Sequence, residues 1–435
     1  MKFHARHFIT LKDREKRYIL FETDPIIMSS SQRPPLWLTT SLNSKHISAV
    51  LSILSDRESK RNVAQNASQM RVLERSDSSR QSPLILLGRG NREAPPSHIE
   101  HYTIAAGLQP LNLVLNRYLN IVPYDRTRVV VYDGYLDVEK DSQGRYLNAS
   151  WVLERKGGKW WIATQAPVKR SAHTFLCALM QPIVNTPYST SHRGRVRTVV
   201  QLTRDLEGGR RKADSYFPKQ VGQSVVVSPD VEVQGPPLKV TLCGLRTIEE
   251  AHCIESTVSI LPIVNPSNRD GNDSTSSGVA PGSEDQLFTF RHLLYLSWPD
   301  HGVPEDPQSI ISFIRLVEQT NRDSSDPRIV SSGKESQEVD PDPPIIVGCS
   351  AGVGRTGSFI ALASLLRGYE FLPPAVRPTP SSVLPSSPLG PLPELVQTDE
   401  VAGEIDSLRE QRPKMVERPE QVLLVYEVLA RAFDL

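Results

Sequence analysis

Cysteine is scarce in this chain. Four residues, Cys177, Cys243, Cys253 and Cys349, are too few and too scattered for a disulfide framework. A reducing compartment suits them. Charge of one sign is missing too. Fifty Lys and Arg stand against 49 Asp and Glu, a net of +1, so neither nucleic acid nor an anionic membrane is expected as partner. No apolar run is long enough to span a bilayer, which excludes membrane insertion. Met1 to Ile27 is charged throughout and lacks the apolar core of a signal peptide. Its Asp13, Glu15, Glu22 and Asp24 argue against a mitochondrial presequence. The Asn-x-Ser/Thr matches at Asn66, Asn148 and Asn272 are therefore expected to be unused. The expected location is the cytoplasm, with the nucleus as the alternative.

What the chain does have is concentrated in one stretch, Ile345 to Gly357. An apolar run leads into Cys349, small residues follow, and Arg355 closes the loop where a helical pattern begins. Small residues let a backbone curl so that successive N–H groups point inward. A helix starting near Arg355 adds its positive end to the same point. An arginine there can grip two phosphate oxygens at once. Such a field favours the thiolate of Cys349, the form that attacks. The alternative is a buried cysteine in a strand-to-helix turn. The Cys-x5-Arg-Thr spacing in a strand–loop–helix context favours the anion cradle.

That loop resembles the phosphate-binding loop of the non-receptor protein tyrosine phosphatase family, and further segments agree in order from about Leu111 onward. Asn116–Tyr118 with Asn120–Asp125 resembles the substrate-recognition segment. Tyr146–Ser150 and Trp161–Pro167 resemble two core-strand motifs. Val199–Arg204 with Glu207, Lys212 and Tyr216–Pro218 continues the pattern. Trp298–Pro304 resembles the mobile acid loop, and Gln411–Val416 with Gln421 the last catalytic segment.

The resemblance implies hydrolysis of phosphotyrosine in proteins without a metal or other cofactor. It makes Cys349 the nucleophile that forms a cysteinyl phosphate. Arg355 and the N–H groups of Ser350, Ala351, Gly352, Val353 and Gly354 hold the phosphate. Asp300 is the general acid, then the base. Tyr118 lines a deep slot that phosphotyrosine reaches to the floor and phosphoserine does not. Glu207 orients Arg355, unless it is a solvated turn charge. Thr356 bonds the sulfur, Gln421 binds substrate, and Lys212 approaches Asp300. Trp298 anchors the acid loop, and His301 is an ordinary loop residue.

Three departures stand out. Asn120 replaces an aspartate that holds the substrate backbone, Gly348 a histidine, and Glu417 a water-positioning glutamine. Glycine adds backbone freedom before the nucleophile. A histidine at 348 is expected to raise the rate at mildly acidic pH. Two other functions stay open: a phosphotyrosine-binding pseudophosphatase, or a dual-specificity phosphatase.

Thirty-five prolines, unevenly placed, mark the organisation. Residues 1–95 read as a polar, mostly disordered tail with a short helix at His46–Leu54 and a candidate internal start at Met28. Residues 96–435 read as the phosphatase-like domain. Ser-, Gly- and Pro-rich insertions near 265–285, 322–344 and 371–393 are expected to be disordered, having little apolar surface to offset their ordering entropy. Arg33–Leu38 resembles a kinase-docking peptide, which makes protein kinases candidate partners beside phosphotyrosine proteins. Thr379-Pro380 and Ser387-Pro388 are candidate proline-directed phosphorylation sites.

The fold class is α/β: one twisted mixed sheet flanked by helices. Strands are expected at Arg128–Tyr132, Trp160–Thr164, Arg197–Leu202, Ser224–Val227, Leu238–Leu242, Phe288–Leu296 and Pro344–Gly348. Helices are expected at Ser309–Thr320, Thr356–Tyr369, Glu400–Glu410 and Pro419–Phe433.

Overall fold

In a computed structural model of the chain, the described residues are 33–77, 94–132, 144–183, 194–231, 233–263, 287–299, 302–326, 329 and 340–435. The fold lies within the unit Pro34–Leu435. Its strands are β1 (Arg128–Val131), β2 (Arg145–Leu153), β3 (Trp160–Gln165), β4 (Thr198–Gln201), β5 (Leu206–Glu207), β6 (Arg210–Arg211), β7 (Ser224–Val227), β8 (Leu238–Ile248), β9 (Cys253–Pro262), β10 (Phe288–Tyr295) and β11 (Ile345–Cys349). Its helices are α1 (Leu36–Ser41), α2 (Ser44–Asp77), α3 (Pro96–His101), α4 (Pro110–Leu113), α5 (Ala172–Met180), α6 (Pro307–Arg322), α7 (Gly354–Gly368), α8 (Glu400–Gln411) and α9 (Pro419–Ala432).

Nine strands form one sheet in the order β1-β2-β3-β11-β4-β10-β9-β8-β7. The middle strands β3, β11, β4 and β10 run parallel, and the outer strands pair antiparallel. β11 is buried along its whole length, as an unbroken apolar run in a central parallel strand should be. Its residues alternate between two cores. Ile345 and Val347 join the core built with α6, α7, α8 and α9, while Ile346 joins the one that covers α5. Trp161 and Ala163 against Trp160 and Ile162 divide the same way on β3. The sheet thus carries helices on both faces, and Cys349 emerges where the two middle strands end.

The N-terminal region departs from the expected tail. α2 runs for 34 residues, not the nine of His46–Leu54. It buries Val50, Leu54, Arg57, Arg61, Ala64 and Ser68, which recur at helical spacing on one face. Two of these are arginines, so the stripe shows no apolar period. Their burial depends on acids supplied by α8. Arg61 donates to Glu410 Oε1 at 2.7 Å and to Asp406 Oδ1 at 2.5 Å, and Arg57 Nε donates to Asp406 at 2.9 Å. The presumed docking peptide is not free either. Leu38 is fully buried in α1, and Trp37 Nε1 donates to the Tyr369 hydroxyl at 2.7 Å.

Segment 371–393 departs as well, because it follows a pinned path over the domain. Arg57 Nη2 donates to the Gly390 carbonyl at 2.9 Å, Arg367 to Pro373 at 2.8 Å and Arg322 to Pro374 at 2.7 Å. Arginines satisfy its carbonyls, and proline leaves little chain entropy to lose. Both candidate phosphorylation hydroxyls are engaged. Thr379 Oγ1 accepts from Trp160 Nε1 at 3.1 Å, and Ser387 Oγ donates to Glu410 at 2.9 Å. The 265–285 insertion and most of the 322–344 insertion lie outside the described residues.

Candidate active site

The site is built where β11 turns into α7. Cys349, the last residue of β11, is 7% exposed. Gly352 has φ +73°, and a Cβ there would stand 2.2 Å from the Thr164 carbonyl oxygen, so only glycine fits. The loop's carbonyls all find partners outside it. Gly348 O accepts from Leu202 N at 2.8 Å, and Cys349 O and Ser350 O accept from Ala166 N at 2.8 and 3.1 Å. Arg412 donates to Ala351 O at 3.1 Å and to Gly352 O at 2.8 Å. Val353 O accepts from Val416 N at 3.2 Å. A loop whose carbonyls turn outward presents its N–H groups to the concave side, as a nest for an anion.

Arg412 lies in the Gln411–Val416 segment, and its role comes from the fold. It is fully buried and also donates to Asn148 and Ser150. Burial lowers its guanidinium to about 10, against the opposing pull of Tyr146 and Cys349. It therefore stays cationic at neutral pH behind the loop. The outward partners came from β3, β4 and α8, which no local spacing relates to the loop.

Arg355, in the first turn of α7, is held at several points. Its Nη1 donates to Glu207 Oε1 at 2.8 Å and its Nη2 to Oε2 at 2.9 Å. It also reaches the carbonyls of Leu202 at 3.0 Å and Pro299 at 2.9 Å. Glu207 is buried on β5 and accepts further bonds from Thr203 and Arg204. It is thus no solvated turn charge. The Pro299 contact joins Arg355 to the Trp298–Pro304 segment, where Trp298 is 4% exposed in the core and bonds Gly302 O. Asp300 and His301 lie outside the described residues, so the approach of Lys212 to Asp300 does too.

Tyr118 reaches the loop from the side. Its hydroxyl is 2.8 Å from Ser350 Oγ, which donates to Lys212 O at 2.8 Å. Two neighbours hold Tyr118 there. Asn116 is buried and accepts from Tyr146 and Asn148. Arg117 donates to Ala166 O, Pro167 O and Asp214, and its N–H donates to Gln165. Gln421, at the start of α9, sits against Gly354, where a Cβ would meet its amide at 2.8 Å. Thr356 is fully buried, and among the described residues its hydroxyl bonds neither the Cys349 sulfur nor any other group. Glu417 and Asn120 are exposed. Among the described residues, no three His, Cys, Asp or Glu side chains are grouped to hold a metal.

The setting of Gly348 argues against the expectation that a histidine there raises the rate. It lies between β3 and β4, and a Cβ there would stand 2.7 Å from the Thr164 carbonyl oxygen and 3.1 Å from Thr164 Cγ2. A backbone oxygen on a central strand has little room to yield. Gly348→His is therefore expected to cost about 1–3 kcal/mol of stability and to lower turnover rather than raise it. Chemical denaturation and a pH–rate profile of the variant check this.

Residues 112–372 match the family model described as protein-tyrosine phosphatase. The chain is 31% identical over 270 residues to tyrosine-protein phosphatase non-receptor type 9 of Rattus norvegicus, covering 62% of this chain and 37% of that one. The Homo sapiens protein of that name is 30% identical over the same shares. The chain thus spans little more than a third of these relatives' length. The catalytic domain of human protein tyrosine phosphatase non-receptor type 18 aligns at 21% identity with a TM-score of 0.48, covering 76% of this chain and 88% of that one.

Proposed function

Because this chain belongs to the protein-tyrosine phosphatase family, its family model matching residues 112–372, we propose that it hydrolyses phosphotyrosine in proteins through a cysteinyl phosphate. One observation carries the reading: Cys349 lies at the start of an outward-carbonyl loop that Arg355 closes, with Arg355 clamped bidentately by Glu207.

The Cys349 thiolate attacks phosphorus. The S–P bond forms as the bond to the tyrosine oxygen breaks, and Asp300 supplies the proton that oxygen needs. Water then attacks the phosphocysteine with Asp300 as base, releasing inorganic phosphate and restoring the thiolate. Acid–base help of this kind contributes ~10²–10⁴-fold. The nest and Arg355 act on the charge that the transferring group carries. Tyr118, fixed to Ser350, sets the slot depth that favours phosphotyrosine over phosphoserine. Its substrates are phosphotyrosine proteins. The thiolate chemistry suits the reducing cytoplasm, and among the described residues no helix is long and apolar enough to cross a membrane.

The test is turnover by purified chain with chelator present, on an aryl phosphate and on matched phosphotyrosine and phosphoserine peptides. Turnover of the aryl phosphate and of the tyrosine peptide alone is expected. Peptide binding without turnover sinks the hydrolase reading, and equal rates on both peptides sink the tyrosine specificity.

A further inference from the structure

α2 lies far from Cys349 in sequence, yet it grips the segment that backs the catalytic loop. Lys414 N–H donates to Glu58 Oε1 at 3.1 Å. Arg409 Nη1 donates to the Leu54 carbonyl at 2.9 Å, while its Nε and Nη2 hold the carbonyls of Met415 at 2.8 Å and Val416 at 2.7 Å. The turn so held is unusual. Lys414 has φ 61° and the β-branched Val416 has φ 53°, a conformation that persists only when its surroundings impose it. Gly357 of α7 leaves the room for it, since a Cβ there would meet Val416 N at 2.4 Å. Val416 N in turn bonds Val353 O in the loop. Glu417 follows directly, and Gln421 lies one helical turn on, against Gly354.

We propose that α2 is a positioning element of the active site, in which Glu58 and the Leu54 carbonyl hold the turn Lys414–Val416 and so set Gln421 and Glu417, the latter standing where the family has its water-positioning glutamine. This rests on the hydrolase reading above. Arg412, which braces Ala351 and Gly352, is held independently by Asn148 and Ser150. Loosening the turn thus leaves the Arg412 bonds to Ala351 and Gly352 in place and frees the loop only at the Val353 carbonyl. The step that suffers is attack of water on the phosphocysteine, not its formation.

The experiment compares Glu58→Ala, Glu58→Asp and Glu58→Gln with the natural chain on an aryl phosphate. In Glu58→Ala, kcat and KM are expected to fall together by roughly tenfold, with kcat/KM kept within about twofold. A pre-steady-state burst of aryl product should grow toward one per active site. Glu58→Asp withdraws the acceptor while keeping the charge beside Arg61, and should give a smaller shift of the same kind. Glu58→Gln retains an acceptor oxygen and should behave as the natural chain. Amide exchange gives a readout free of turnover: Lys414 and Val416 should exchange faster in Glu58→Ala, and β11 should not. Unchanged exchange at these amides, or kinetics that change only as lost active sites would change them, overturns the positioning role. An inactive natural chain overturns the hydrolase reading instead, and the exchange result still decides what Glu58 holds.

Discussion

Cys349→Ser is expected to lower turnover by on the order of 10⁴-fold or more while leaving the fold and phosphopeptide binding intact. In the proposed mechanism the sulfur forms and breaks the bond to phosphorus, and a serine hydroxyl at neutral pH offers no comparable anion. The binding apparatus does not pass through it. Arg355 is fixed by Glu207, and the loop's carbonyls are held by Leu202, Ala166, Arg412 and Val416. The exchange of sulfur for oxygen slightly reduces volume at a 7% exposed position, so the strand end should not move. Single-turnover kinetics and calorimetric binding of a phosphotyrosine peptide are the measurements. Near-natural turnover in the serine variant removes Cys349 as nucleophile. Lost binding with intact folding places the sulfur in the anion site's support instead.

A chain beginning at residue 96 is expected to yield no stable folded domain, although composition alone suggests that only a tail has been removed. The reason is the ionic cluster under α2. Arg61 is fully buried against Asp406, Glu410 and Glu58. Burial disfavours its charge, but those carboxylates raise its pKa well above the usual guanidinium value. Without Arg61, Asp406 and Glu410 lose the one guanidinium that bridges them, leaving Asp406 to Arg57 and Glu410 to His101. Arg61→Ala alone should therefore cost ~3–5 kcal/mol, the usual penalty for breaking a buried pair from one side. Denaturant midpoints of Arg61→Ala and of the natural chain check it, and a loss under about 1 kcal/mol puts the pair among ordinary surface bridges.

Acid should reveal the same cluster. Burial pushes the Glu410 carboxyl upward, but bonds from His101 and Arg61 hold it down at about 2. Its folded pKa lies below its unfolded one. Its stabilisation is therefore present above the unfolded carboxylate range and is lost as pH falls toward 2.

The local elements were legible where one face or one short run carried the signal. The apolar run before Cys349, the body of α6 at Ser309–Thr320, and the strands β1, β3, β4 and β10 follow from period and punctuation. Elsewhere burial erased the period. All nine residues of α5 are buried, so it shows no polar face. β9 buries Glu255, Ser256 and Ser259, with Glu255 paired to Arg246 and Arg291, and its polar letters hide a strand paired on both sides. α2 hides in the same way, since its inward face interrupts Val50, Leu54 and Ala64 with arginines.

By itself the sequence determined the chemistry of the loop. A thiol, five small or apolar residues and an arginine in that order point to a cradle for a phosphate, because a backbone that curls there supplies the donors. The Asn116–Tyr118 and Trp298–Pro304 frames were likewise legible as ordered strings. Only the tertiary structure decided what holds that cradle. Arg412 comes to the loop from the end of α8, Thr164 crowds any side chain at 348 and excludes one at 352, and α2 clasps the Lys414–Val416 turn. Each is a contact between residues far apart in the chain, formed because a buried carbonyl or charge must find a partner. A one-dimensional pattern names the groups that need partners, and folding chooses which ones they get.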